Sequence, residues 1–146
     1  MDLTIRTLSL EELPRLVAMD HASTGRHRDA WYREALDRAQ GGSIAMSLGA
    51  EHDGILVGAL LGAVRYGEFG QPEPVAEVDT MVVDPNFKSQ GVGRALMEGL
   101  VQNLRALRVE RLRTQVDWKE QDLLGFFGRF GFEPTPRLVL EYKVDL

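Results

Sequence analysis

The stretch from Val75 to Leu107 constrains this chain more than any other. Val75-Ala-Glu-Val-Asp-Thr-Met-Val-Val83 is rich in β-branched residues and reads as a strand. A polar turn of seven residues, Asp84 to Gln90, leads to Gly91-Val-Gly93. From there Val92, Leu96, Leu100, Leu104 and Leu107 recur at helical spacing, so an amphipathic helix runs from Gly91 to about Leu107. Strand, turn, paired glycines and helix together form an anion cradle. The first turn of a helix carries N–H groups with no partner inside the helix, and the helix dipole adds partial positive charge there. Glycine lets a phosphate approach the backbone because no Cβ blocks it. The next strand signal, Glu110 to Val116, follows a helical crossover and is therefore expected parallel to the Val75 strand.

The rest of the chain supplies a frame for that unit. Leu3 to Leu8 alternates like a strand, and Ser9-Leu-Glu-Glu12 matches a capping box with Leu8 and Leu13 as its staple. Leu13, Leu16 and Val17 continue a helical stripe, with Pro14 weakening its first turns. Asp20 to Arg28 is polar, contains Gly25 and is expected to be a loop. A second helix is expected over Asp29 to Ala39, with Trp31, Ala35 and Leu36 on one side and Gly41-Gly42 as its stop. Ser43 to Glu51 and Ile55 to Tyr66 flank His52-Asp-Gly54 as a hairpin, followed by a loop from Gly67 to Pro74. A helix over Glu120 to Phe130 ends at Gly131, and Leu138 to Val144 reads as a final strand, with a short one near Phe132 as its candidate partner. The order predicts a single α/β domain over residues 1–146: a mixed, largely antiparallel sheet with helices on both faces.

Composition limits the chemistry. The chain of 146 residues has no cysteine, which excludes disulfides, a thiolate nucleophile and cysteine metal sites. His21, His27 and His52 have no metal-ligand spacing, and Ser23 beside His21 and Asp20 cannot form a triad because adjacent residues lack that geometry. No metal is expected. The net charge of −5 opposes nucleic-acid binding and suits a cationic substrate. No apolar run is long enough to span a bilayer and no signal core opens the chain, so a cytoplasmic location is expected.

Three kinds of cradle compete for the glycine turn. A P-loop needs Gly-Lys-Ser/Thr, which is absent. A dinucleotide turn needs a third glycine where Leu96 stands, and it follows its strand directly, without seven intervening residues. A plain helix start, with glycines chosen for turn geometry, remains as the alternative. The run Lys88-Ser-Gln-Gly-Val-Gly93 resembles the pyrophosphate loop of the GNAT N-acyltransferase superfamily, written Q/R-x-x-G-x-G/A. Met81-Val-Val-Asp-Pro85 is similar to that family's fourth strand and its exit, and Leu123 to Phe132 to its fourth helix. The resemblance covers nearly the whole chain.

The resemblance implies acetyl-CoA, or another acyl-CoA, as acyl donor to a primary amine of a small molecule or protein, by direct attack in a ternary complex. Its pyrophosphate would meet the backbone of Ser89, Gln90, Gly91, Val92, Gly93 and Arg94, with Lys88 where Gln or Arg is usual. Its pantetheine arm would lie along Met81, Val82 and Val83. Glu77 matches the position of a glutamate base in some members, and Asp79 is the second candidate. The two share a face unless the strand bulges, as it often does in this family. The competing reading of Glu77 is a solvated carboxylate, or one paired with an arginine on the neighbouring strand. Phe127 stands where the family often has a tyrosine acid, which leaves solvent, Tyr142 or Tyr66 to protonate the thiolate. The segment Asp20 to Tyr32, with Trp31 and Tyr32, is the expected acceptor-side element, and a homodimer is a further expectation of the family. Two other readings stand beside the enzyme: a non-catalytic CoA-binding regulatory module of the same fold, and a toxin-like or interaction module acting on RNA or a protein.

Overall fold

The computed structural model describes residues 1–40, 46–67, 70 and 72–146. Contacts divide the chain into two compact units, Met1–Gln115 and Val116–Leu146.

The first unit is a five-stranded sheet in the order β1-β2-β3-β4-β5. The strands are β1 (Thr4–Thr7), β2 (Ser47–His52), β3 (Ile55–Arg65), β4 (Val75–Val83) and β5 (Arg111–Thr114). Neighbours are antiparallel except β4 and β5, which run parallel across the crossover helix α3 (Val92–Ala106). Asp53 and Gly54 take φ of 50° and 79°, so the expected hairpin turn forms between β2 and β3. Leu56 through Leu61 are all buried, Gly58 included, which requires cover on both faces of the sheet. Helices α1 (Leu13–Thr24) and α2 (Asp29–Gln40) pack against β3 and β4. α3 packs across β1 to β4. Gly58 permits this close approach, since a Cβ there would meet Val92 Cγ1 at 2.5 Å.

The entry to α1 follows the capping signal. The Ser9 N–H donates to Glu12 Oε1 at 3.0 Å, and Arg6 grips Glu12 at 2.8 Å and Glu51 at 3.0 Å. Pro14 sits in the first turn of α1, where its missing N–H has no helical acceptor to lose. The expected loop from Asp20 to Arg28 is corrected: α1 continues to Thr24 and ends at Gly25 with φ 77°. Its polar residues mislead because this end of the helix is exposed, while Asp20 is buried by pairing with Arg28. The expected stop at Gly41-Gly42, and residues 43–45 of the hairpin, lie outside the described residues.

The second unit contains α4 (Gln121–Phe130), closed by Gly131 at φ 118°. Phe127 packs edge-on against Phe126 and Phe132 at ring distances of 5.3 and 4.9 Å. The expected strand over Leu138 to Val144, and the short one near Phe132, do not form. The alternating pattern is present, but among the described residues no strand is hydrogen-bonded to it, and a lone strand is not stable in water. Among the described residues, no helix is long and apolar enough to cross a membrane.

Gly62 lies where β3 and β4 shift register, and a Cβ there would clash with the Glu77 carbonyl oxygen. Gly62→Ala is expected to destabilise the protein by about 1–3 kcal/mol through this overpacking. A urea titration checks it: the midpoint falls while the slope is unchanged.

Candidate active site

The parallel pairing of β4 with β5 covers only Val75–Val78 against Arg111–Thr114. The Thr114 hydroxyl donates to the Val78 carbonyl at 3.0 Å and closes the paired stretch. β4 runs on to Val83, still paired to β3 through Thr80↔Leu61, Met81↔Leu60, Val82↔Ala59 and Val83↔Gly58. Between Leu61↔Thr80 and Gly62↔Val78 the register skips Asp79. Asp79 is therefore the extra residue of a β-bulge, at the point where β5 stops. Met81, Val82 and Val83 follow it on a strand edge that β5 does not pair. A parallel pair that parts in this way offers backbone N–H and C=O groups to an extended ligand.

The turn after β4 is tied down. The Asp84 N–H donates to the Val57 carbonyl at 2.8 Å, and Asp84 Oδ1 accepts from the Asn86 N–H at 2.9 Å. Asp84 Oδ2 binds Arg15 Nη2 at 2.6 Å, while Arg15 Nε donates to the Leu56 carbonyl at 3.0 Å. Burial alone would push the Asp84 carboxyl up; the Asn86 N–H and the Arg15 guanidinium outweigh it and hold the group below its ordinary value. Past this anchor Lys88, Ser89, Gln90 and Gly91 are exposed. Ser89 and Gly91 take φ of 62° and 83°, which turns the chain into α3. Gly91 is the N-cap and makes no side-chain cap bond; the first intrahelical donor is Ala95, to the Gly91 carbonyl at 3.0 Å. The N–H groups of Val92, Gly93 and Arg94 thus have no acceptor within the helix. Val92 is buried, so the helix start is rigidly seated. Lys88 and Arg94 add cationic side chains to an opening suited to phosphate.

The two candidate carboxylates have different surroundings. Glu77 accepts from Arg65 of β3 at 3.3 Å and from Arg113 of β5 at 3.3 and 3.4 Å. It is the neighbouring-strand ion pair that the sequence allowed as an alternative. Among the described residues, Asp79 has one ion-pair contact, with Arg38 Nη2 of α2 at 3.9 Å. Burial pushes the Asp79 carboxyl up from its ordinary value; Arg38 opposes this and the Glu77 charge adds to it. A half-desolvated carboxylate without a close guanidinium is better suited to take a proton than one bound on both oxygens.

Where α1 meets α2, Arg28 binds the buried Asp20 through both oxygens at 2.8 and 2.5 Å and lies over the rings of Trp31 and Tyr32. Tyr32 is fully buried, its hydroxyl has no hydrogen-bond partner among the described residues, and burial pushes its pKa up. Trp31 remains half-buried beside it. His21 and His27 stack with ring centroids 3.9 Å apart. Among the described residues no cluster could hold a metal ion. Sequence reasoning missed Arg15, Arg38, Arg65 and Arg113; each finds its carboxylate on another element, and no local pattern reveals that. Phe127 is buried, and Tyr66 and Tyr142 are both exposed, so neither tyrosine is fixed by packing.

The model of the acetyltransferase (GNAT) family matches residues 8–132. A mycothiol acetyltransferase from Propionibacterium freudenreichii subsp. shermanii is 31% identical over 130 residues, covering 84% of this chain and 40% of that protein. The chain therefore spans about two fifths of the length of that relative. Among solved structures, the aminoglycoside N-acetyltransferase AAC(6')-Iy in complex with a CoA bisubstrate analogue superposes with a TM-score of 0.80 at 17% identity, covering 99% of this chain and 100% of that one. A transcriptional regulator from Bacillus halodurans C-125 gives a TM-score of 0.79 at 16% identity, covering 97% and 100%. At these identities the likeness is one of fold.

The Arg28 hydrogen bonds hold the Asp20 carboxyl below its ordinary value, and Arg6 does the same for Glu12. Carboxyls depressed in the folded state contribute stability that is complete above their unfolded pKa of about 4 and is lost as pH falls through the folded values. Urea midpoints measured between about pH 2 and 7 are expected to fall on the acid side of about 4. Asp20→Asn is expected to be less stable at neutral pH and to show a shallower acid decline.

Proposed function

The chain belongs to the acetyltransferase (GNAT) family, and we propose that it moves an acetyl group from acetyl-CoA to a primary amine by direct attack within a ternary complex. One observation carries this reading: the bulge at Asp79 lies where β5 leaves β4, and the free edge beyond it leads into the glycine-capped start of α3. Backbone N–H groups from Ser89 to Arg94, with the Lys88 charge, would receive the donor's pyrophosphate. The edge at Met81 to Val83 would receive its extended arm. The solved neighbour in complex with a CoA bisubstrate analogue, and the relative named as a mycothiol acetyltransferase, support an acetyl donor of this class and a small-molecule acceptor.

In this reading Asp79 is the base. It takes the proton that the acceptor ammonium must lose, and the lone pair freed on nitrogen then bonds to the acyl carbon. The carbon–sulfur bond breaks, and the thiolate leaves with solvent as its proton source, because Phe127 has no proton to give. Glu77, held by Arg65 and Arg113, keeps the local field fixed and positions the strand. A backbone N–H at the bulged part of β4 would stabilise the oxyanion.

Phe127 also motivates a second reading, a CoA-binding module that regulates without turnover. Thiol release from acetyl-CoA over a panel of amines, polyamines, amino acids and peptide N-termini separates the two. Stabilisation by CoA with no turnover on any amine favours the second, and no response to any CoA species removes both.

Asp79→Asn is expected to lower kcat by roughly 10²-fold, the lower end of a general base's contribution, while leaving the acetyl-CoA melting shift intact. Activity that needs the Asp79 carboxylate falls on the acid side, and the upward shift of that group moves this limb towards neutrality. Arg38 opposes the shift, so Arg38→Gln is expected to move the limb to higher pH. Rate–pH profiles of the three proteins check this; an unmoved limb in Arg38→Gln removes Asp79 from the role.

A further inference from the structure

Among the described residues, the guanidiniums of Arg38, Arg65 and Arg113 meet the carboxylates of Glu77 and Asp79 beside the bulge of β4. Glu77 is held between Arg65 of β3 and Arg113 of β5, one guanidinium on each oxygen. Arg38 of α2 comes to 3.9 Å from Asp79, too far for a hydrogen bond. Register explains part of this convergence. Glu77 pairs with Ala63, and Arg65 lies two residues beyond Ala63, so Glu77 and Arg65 stand on one face of the sheet. Burial pushes the Asp79 carboxyl up, and the charges of Arg38 and, more weakly, Arg65 pull it down, so both guanidiniums act on this carboxylate. The arginines outnumber the carboxylates. The cluster is therefore net positive, in a chain whose net charge is −5.

Arg38 and Arg65 have donors to spare. Their side chains are 51% and 48% exposed, against 22% for Arg113. A guanidinium carries several N–H donors in a planar fork. Among the described residues Arg38 makes no hydrogen bond, and Arg65 makes one, from Nη2 to Glu77 Oε1 at 3.3 Å. The consequence is electrostatic. An ammonium that approaches Asp79 also approaches Arg38, and a polyamine brings further positive charge to the same place. An amine with its own carboxylate arrives neutral overall. That carboxylate can take the spare donors in the paired geometry that guanidiniums favour. Positive charge beside the nitrogen also favours its neutral, nucleophilic form.

On the acyl-transfer reading above, we infer that the acceptor is a small amine with a carboxylate a few bonds from the nucleophilic nitrogen, an amino acid rather than a polyamine. Arg38 and Arg65 hold the carboxylate while the nitrogen faces Asp79. The whole-chain charge points the other way, towards a cationic substrate, because it averages over every surface of the chain. The field at the bulge is set by the side chains that meet there, and those are mostly guanidiniums.

Matched acceptors test this: free amino acids against the same compounds as carboxamides, with spermidine as the polycation. Thiol release from acetyl-CoA gives kcat/KM for each, corrected for its fraction of free amine. The best free amino acid is expected to exceed its carboxamide by about tenfold, the worth of one charge-assisted contact. Arg38→Gln is expected to remove most of that preference through KM, and Arg38→Lys to retain most of it. Both acceptors use the same base, so the effect of Arg38 on Asp79 cancels in the ratio. Arg65→Gln is expected to act likewise, with Arg65→Lys as the form that keeps Glu77 paired. A wild-type preference for the carboxamide or for spermidine overturns the inference and leaves acyl transfer standing. So does a preference that Arg38→Gln and Arg65→Gln leave unchanged. Calorimetry of the same acceptors on the CoA-bound protein reads binding separately. An amino acid that binds more tightly than its carboxamide, and loses that advantage in Arg38→Gln, supports the carboxylate site even where no amine releases thiol; acyl transfer alone then falls. Neither binding nor thiol release with any acceptor overturns both.

Discussion

The parallel pairing of β4 with β5 stops at Val78, and what this chain presents to a ligand lies just past that point. A fully paired sheet has no backbone groups to spare. Here the Thr114 hydroxyl takes the Val78 carbonyl, β5 ends, and β4 continues for five more residues with β3 alone. The bulge at Asp79 falls at the same place, so one irregularity bends the strand, re-aims its side chains and opens its edge. Gly62 makes the bulge possible, because any Cβ there would meet the Glu77 carbonyl.

The cradle depends on that edge being held in a fixed relation to α3. Two contacts do this from opposite sides. Arg15, reaching from α1, binds both the Asp84 carboxylate and the Leu56 carbonyl, so the exit of β4 is fastened to β3 and to a helix at once. Gly58 lets Val92 press onto β3, so the first turn of α3 is seated on the sheet. The exposed residues between, Lys88 to Gly91, span two anchored points. Their donors are already oriented, which reduces the ordering cost when an anion binds.

Much of this was legible in the sequence because it is local. β4 was readable to the residue, and α3 and α4 nearly so, since β-branched runs, helical stripes and glycine stops act over a few positions. The glycine cradle was readable for the same reason. Legibility failed where a residue's state depends on a distant partner. Asp20 looked like a loop residue because its polarity was visible and its pairing with Arg28 was not. Glu77 ranked ahead of Asp79 as a base in the sequence because Arg65, Arg113 and Arg38, which distinguish their surroundings, come from three other elements. Leu138 to Val144 looked like a strand, and its pattern is that of one, but a strand exists only where another edge receives it.

The contrast between Glu77 and Asp79 follows from position rather than residue type. Two residues apart on one strand, one lies within the paired stretch and the other at its end. The paired stretch places an arginine on each flanking strand against Glu77, and those two guanidiniums occupy both carboxylate oxygens. At the bulge β5 has ended, and among the described residues the ion-pair partner of Asp79 is Arg38 of α2, at 3.9 Å. Desolvation then dominates, and the nearby Glu77 charge pushes in the same direction. Burial raises the Asp79 carboxyl, and in the proposed reading this is what suits it to act as the base. In the proposed reading the strand ending that opens the β4 edge also leaves Asp79 beyond the paired stretch that holds Glu77, so binding and proton transfer would depend on one feature of the backbone.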